Sequence, residues 1–217
     1  MRILRIPKEV IVDGNLFVPK RYIDNLFYYV LPVTLGVLLF YPGAVRSLQP
    51  PLGIAAEIML LIVLFVKPFA VFFPKIRIFS RLVGLRRQLG LATFFLALAH
   101  FLYFVSLHGL LPHLSFWSAL TRPSGLRSGT LALLLLAIIS ASSIWFIVKR
   151  LKKWWKRVQR LSYLVLPLVL LHATIMRGDS YWFMGLVLGA YIVLKGIEWY
   201  LYLRRKRRNS VARPNDR

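Results

Sequence analysis

The chain has 217 residues, is 58% hydrophobic, and carries 30 Lys and Arg against 7 Asp and Glu, a formal net charge of +23. A mean hydropathy of +0.64 excludes an ordinary soluble domain, and the lack of cysteine excludes disulfides, zinc–thiolate sites and iron–sulfur clusters. A charge this basic would suggest nucleic acid in a soluble protein; here the cations fall between apolar runs, as in membrane proteins, so no nucleic-acid partner is expected.

The N-terminal stretch MRILRIPKEVIVDGN has no apolar core and no small-residue cleavage site, so it does not read as a signal peptide. Six runs then approach the roughly 20 apolar residues that a spanning helix needs. They are 24–41, ending at Pro42-Gly43; 52–73, ending at Pro74; 88–107, before His108-Gly109; 130–148; 161–176, containing Pro167; and 181–203. The expected fold is an all-α membrane protein, a bundle of about six transmembrane helices. Residues 1–23 form a cytoplasmic segment, 24–203 the transmembrane domain and 204–217 a basic, disordered tail.

The loops set the orientation. All but five of the 30 cations lie in the N-terminal segment, the second-to-third loop with the adjoining end of the second helix, the fourth-to-fifth loop and the tail. The five are Arg46, Arg122, Arg127 and Arg177 on the opposite side, and Lys195 within the last run. Positive charge stays inside, so both termini are expected in the cytoplasm, the chain being multi-pass in the plasma membrane.

Of the four histidines, His108 and His113 fall in the long outer loop, while His100 and His172 lie within the third and fifth runs. Polar groups inside a membrane are costly and usually functional. His100 stands 13 residues beyond Arg87 and His172 stands 12 beyond Arg160, roughly 20 and 18 Å from the cytoplasmic edge. Two imidazoles at one depth on different helices suit the two axial positions of a haem iron, a closed site fitted to electron transfer. Hydrogen bonding between helices is the competing reading. Ala97, Ala99 and Ala173 would leave room for a flat macrocycle, and Phe94, Phe95, Phe101, Tyr103 and Phe104 would wall it.

Among other polar residues, Arg122 or Arg127 could pair with a haem carboxylate, or serve only as solvated loop charges. Glu57 could move a proton or pair with a neighbouring helix. Lys195 and Glu198, three apart, share a helix face and neutralise each other. Ser140, Ser142 and Ser143 read as small-residue helix packing.

The segment RRQLGL at 86–91 followed by His100, then Thr121-Arg122-Pro123, a cationic loop with Trp155, Tyr163-Leu164 and His172, resembles the ferric-reductase-like transmembrane family. More narrowly it resembles the haem-binding membrane subunit of the bacterial methionine-sulfoxide reductase system, the MsrQ (YedZ) type, over about residues 50–203. The resemblance implies a haem b between the third and fifth helices with His100 and His172 as axial iron ligands and Arg122 near the haem edge. It implies an electron-transfer subunit of an oxidoreductase, supplied by a quinol or flavin (quinone or FMN being further cofactor candidates) and serving an extracytoplasmic molybdenum enzyme that repairs oxidised methionine. The family often has another histidine where this chain has Gln159, and Arg86 or Arg87 faces that place on the third helix; a single haem is therefore expected. The rival readings are direct reduction of ferric iron or another small acceptor, and a haem-free membrane scaffold.

Overall fold

In the computed structural model, residues 9–12, 16–38, 40–107, 124–143, 145–178 and 180–211 are described. The N-terminal segment contains a feature absent from the helical expectation: β1 (Glu9–Val12) and β2 (Leu16–Pro19) pair as an antiparallel ribbon, Val10 opposite Val18. The first apolar run follows as α1 (Lys20–Asn25), a π-helical turn (Leu26–Val30) and α2 (Leu31–Leu38).

The next helix corrects the expected boundaries. Helix α3 runs from Pro42 to Phe72, so the expected break before residue 52 is helical, with Pro50 and Pro51 inside it. Proline suits a first helical turn, where its missing N–H costs nothing. Interior prolines persist in membrane helices because the carbonyls they free find other donors. The connection to the third run contains α4 (Arg77–Gly84), whose Phe79 packs on Phe69 and Phe73 of the preceding segment, ring centroids 5.6 and 6.1 Å away.

Helix α5 (Arg86–Leu107) matches the third run. Helix α6 spans Ser124–Ala141, beginning and ending nearly two turns before the expected 130–148. Its end has a physical cause. The Ser142 and Ser143 hydroxyls both donate to the Ile139 carbonyl, at 2.7 and 3.1 Å, and replace the backbone donors that a longer helix would supply. The cationic fourth-to-fifth connection is helical as well: α7 (Trp145–Leu151), a 3₁₀ turn (Lys152–Trp154) and α8 (Trp155–Gln159), before α9 (Ser162–Arg177). Helix α9 stops at Gly178, whose φ of 70° is the left-handed cap that glycine adopts without strain. Helix α10 (Tyr181–Val211) continues beyond residue 203 into the stretch expected to be a disordered tail.

Among the described residues, three helical segments are long and apolar enough to cross a membrane: Val45–Phe72, Arg86–Leu107 and Tyr181–Arg204. Ile147–Gln159 and Ser162–Arg177 pass together as one span bent by 47°, and Leu26–Leu38 and Gly125–Ala141 are shorter apolar helices. The chain is a multi-pass membrane protein. Helix α10 shows the solvent most plainly: only 6% of its apolar window is buried, and Trp182, Leu186, Ile192 and Trp199 are exposed along it. In lipid these side chains need no protein partner, and its aromatics cluster at both ends, where they suit the membrane–water interfaces.

The packing forms two tight helix pairs, α3 with α5 and α6 with α9, joined by α5–α6 contacts. One apolar cluster ties Leu60 and Leu64 of α3 to Leu136 of α6, Leu166 and Leu170 of α9, and Tyr191 of α10. A second joins Leu35, Val45, Leu52, Ala99 and Tyr103. There the buried Tyr103 hydroxyl donates to the Leu35 carbonyl at 2.9 Å, locking α5 to α2.

Candidate functional site

The two helix pairs face each other across a cavity of about 540 Å³, lined by α3, α5, α6 and α9. That is a typical ligand-pocket volume. His100 of α5 and His172 of α9 both line it, their ring centroids 6.3 Å apart and the ring planes at 78°.

Both rings are held the same way. His100 Nδ1 lies 2.7 Å from the Gln49 carbonyl oxygen and His172 Nδ1 lies 2.8 Å from that of Gly125. A carbonyl only accepts, so each Nδ1 carries the proton and each Nε2 keeps its lone pair. Four residues after each accepting carbonyl stands a glycine against the same ring. A Cβ on Gly53 would come within 2.8 Å of His100 Cε1 and Nδ1, and one on Gly129 within 2.7 Å of His172 Nδ1. The neighbouring helix thus supplies a carbonyl to orient each imidazole and an empty Cβ position to seat it.

Two imidazole nitrogen donors on facing helices define the chemistry. With a metal–nitrogen bond of about 2 Å and a ring centre roughly 1.1 Å behind the nitrogen, imidazoles on opposite sides of one metal have centroids roughly 6.2 Å apart. The 6.3 Å here matches. Among the described residues no group of three His, Cys, Asp or Glu could hold a metal ion. A bare zinc ion would need three or four protein ligands. Two donors suit instead a metal whose other positions are filled by a macrocycle.

The remaining expected site residues divide. Ala97 and Ala173 line the cavity, as do Phe101 and Phe104. Ala99 and Tyr103 instead belong to the cluster against α2, and Phe94 and Phe95 stack on each other at 5.4 Å. Their helical phase turns them from the gap. Arg122, with His108 and His113, lies outside the described residues. Arg127 is exposed on α6. Sequence reasoning missed Gln49, Gly53, Gly125, Gly129 and Arg177. The four-residue spacing of Gly125 and Gly129 was a visible signal of close helix approach.

Glu57 lines the cavity and forms a two-pronged ion pair with Arg177 of α9, at 3.0 and 3.3 Å. Of its two readings, the pairing one has a partner, and that partner bridges the two helix pairs. Lys195 and Glu198 do pair, at 2.7 Å, and Lys67 joins them at 2.6 Å from the other carboxylate oxygen.

Gln159 is fully engaged elsewhere. Its amide nitrogen lies 2.9 and 3.1 Å from the Ser142 and Ser143 hydroxyls and 3.3 Å from the Ile139 carbonyl. Arg87 donates to the Ser143 carbonyl from the α5 side. The serines read as packing residues are therefore also the polar end of α6.

The chain is similar to known proteins. The family described as "Ferric reductase like transmembrane component" matches residues 52–170, which includes His100 and ends two residues before His172. A relative 31% identical over 170 residues, covering 73% of this chain and 76% of its own length, is the protein-methionine-sulfoxide reductase heme-binding subunit MsrQ of Agrobacterium fabrum. No solved structure matches the chain significantly. With over half its length under that family, the chain belongs to the ferric reductase-like transmembrane family.

Proposed function

We propose that this protein is a haem b electron-transfer subunit of the plasma membrane, with His100 and His172 as the axial iron ligands. The reading rests above all on one observation: two imidazoles 6.3 Å apart, each with Nδ1 committed to a backbone carbonyl and Nε2 left to coordinate. The relative named as a heme-binding subunit supports it. Bound there, haem would take up and release one electron at a time, without an open position for small ligands.

The chain's own residues do the rest. The Gln49 and Gly125 carbonyls fix the tautomer and the ring planes. Gly53 and Gly129 let α3 and α6 close on the imidazoles. The apolar walls would keep water from a bound haem, and Arg177, held by Glu57, places a guanidinium at the cavity. Arg122 is the second guanidinium proposed for a haem carboxylate.

The proposed topology is six crossings with both termini in the cytoplasm, the shorter apolar helices and the bent pair completing the bundle. One haem is proposed, because Gln159 and Arg87 are both bonded to the end of α6 where a second ligand pair would stand. Electrons would enter from a quinol or flavin and leave to an extracytoplasmic acceptor, a methionine-sulfoxide reductase being the partner suggested by the relative's name.

A reduced-minus-oxidised spectrum of the purified protein, with its haem-to-protein ratio, tests the reading. A low-spin b-type spectrum at one haem per chain is expected. Colourless protein under haem-replete expression would favour a haem-free scaffold.

A further inference from the structure

The two histidine cradles are alike except in one place. The carbonyl that receives His172 also receives a side chain: the buried Ser128 hydroxyl donates to the Gly125 oxygen at 2.9 Å, beside the 2.8 Å bond from His172 Nδ1. At the other cradle, among the described residues, the neighbouring polar side chain is the Gln49 amide, whose nitrogen lies 3.5 Å from His100 Nδ1 itself and not on the accepting carbonyl. Ser128 is 4% exposed and does not line the cavity, so water cannot substitute for its hydroxyl and no bound group would touch it.

We infer that Ser128 is a positioning residue that sets the donor strength of His172 through the Gly125 carbonyl, and with it the balance between oxidised and reduced metal. This rests on the haem reading and deepens it. A carbonyl oxygen has two lone pairs. A second donor draws electron density from it and weakens its pull on the Nδ1 proton. A weaker pull leaves the imidazole less electron-rich, and a less electron-rich axial ligand favours the reduced iron. Outer hydrogen bonds of this kind tune metal ligands in general, and axial basicity and its hydrogen bonding are among the protein's levers on haem. Removing the hydroxyl therefore strengthens the His172 Nδ1–H bond and shifts the equilibrium toward oxidised iron.

The test uses the full-length protein in detergent or nanodiscs, comparing wild type with Ser128→Ala and Ser128→Cys. Cysteine fills the serine's space but is a weak donor. A hydrogen-bonding role makes both variants behave alike, whereas a packing role separates the one that leaves a void from the one that does not. Spectroelectrochemical titration is expected to show, in both variants, about a threefold lower reduced-to-oxidised ratio at fixed applied potential, a fall of roughly 30 mV at 59 mV per tenfold for one electron. In haem-free protein labelled with ¹⁵N-histidine, the His172 Nδ1 proton is expected to move downfield in both variants, while that of His100 stays in place. A Soret band with an unmoved midpoint in both variants, or a shift in Ser128→Ala alone, overturns the role of Ser128 and leaves the haem reading intact. Wild-type protein without a Soret band sinks the haem reading itself, and the labelled-histidine shift then still decides whether Ser128 governs the His172 hydrogen bond.

Discussion

At one end of the gap between the two helix pairs, His100 and His172 face each other across a cavity, each seated against a glycine of the neighbouring helix. At the other end Gln159, 13 residues before His172, is bonded to the terminus of α6, and Arg87 reaches the same terminus from α5. The first end leaves two Nε2 lone pairs with no protein partner among the described residues. The second spends its polar groups on one another. Polar groups inside a membrane need partners, so in the proposed reading the end with two imidazoles at a cavity is the one that takes a ligand. A sealed end marks structure.

The largest break in that comparison comes from the histidines. His100→Ala or His172→Ala is expected to abolish haem binding, read as loss of the Soret band at unchanged membrane expression. A low-spin spectrum retained in both variants would remove the assignment. The glycines come next. Gly129→Ala places a methyl 2.7 Å from His172 Nδ1, and Gly53→Ala places one 2.8 Å from His100. Each forces the ring or the helix to move, an overpacking cost of about 1–3 kcal/mol. A drop of about tenfold or more in haem retention under competing apo-myoglobin is expected, with Gly90→Ala on α5, where nothing lies within 4 Å, as the unaffected control.

How much of this was readable before the fold was known follows from what each feature depends on. Apolar runs and cationic loops depend on neighbouring residues in sequence, so the helices of the cavity and the shared depth of His100 and His172 could be read directly. The glycine seats depend on which helix lies against which, and Gly53 meets His100 across 47 positions of chain. The Glu57–Arg177 pair spans 120 positions. No periodicity within one helix announces such partners. The misplaced helix boundaries have a different origin. Pro50-Pro51 looks like a break because proline disfavours helices in water, yet α3 stays helical through the pair. The end of α6 was placed too late because the hydroxyls of Ser142 and Ser143 cap it, whereas the apolar run alone continues.

The sealed end supports a smaller prediction. Gln159→Ala removes bonds to Ser142, Ser143 and Ile139, at a net of about 0.5–1.5 kcal/mol for each good one. A melting temperature lowered by several degrees with the haem-to-protein ratio unchanged is expected. Gln159→His sharpens the comparison further. It restores an imidazole, yet the ratio should stay at one, because the side facing it presents Arg87 bound to the Ser143 carbonyl. A second haem in that variant would show that a lone histidine suffices and that the seal is not what limits the site.

The smallest effect belongs to the ion cluster of Lys67, Glu198 and Lys195, which pins α3 to α10. Lys67 is half exposed, so its bond to Glu198 competes with solvent, and such pairs contribute about 0–1 kcal/mol. Lys67→Met leaves Lys195 on the same carboxylate, and the melting temperature should fall by no more than a degree or two, with haem content unchanged. Glu198→Gln is the more damaging change, because it leaves two lysines facing a neutral amide near the membrane. If Lys67→Met proved as harmful as Glu198→Gln, the cluster would be a cooperative unit, and this end of the bundle would be held by charge as tightly as the cavity is held by its cradles.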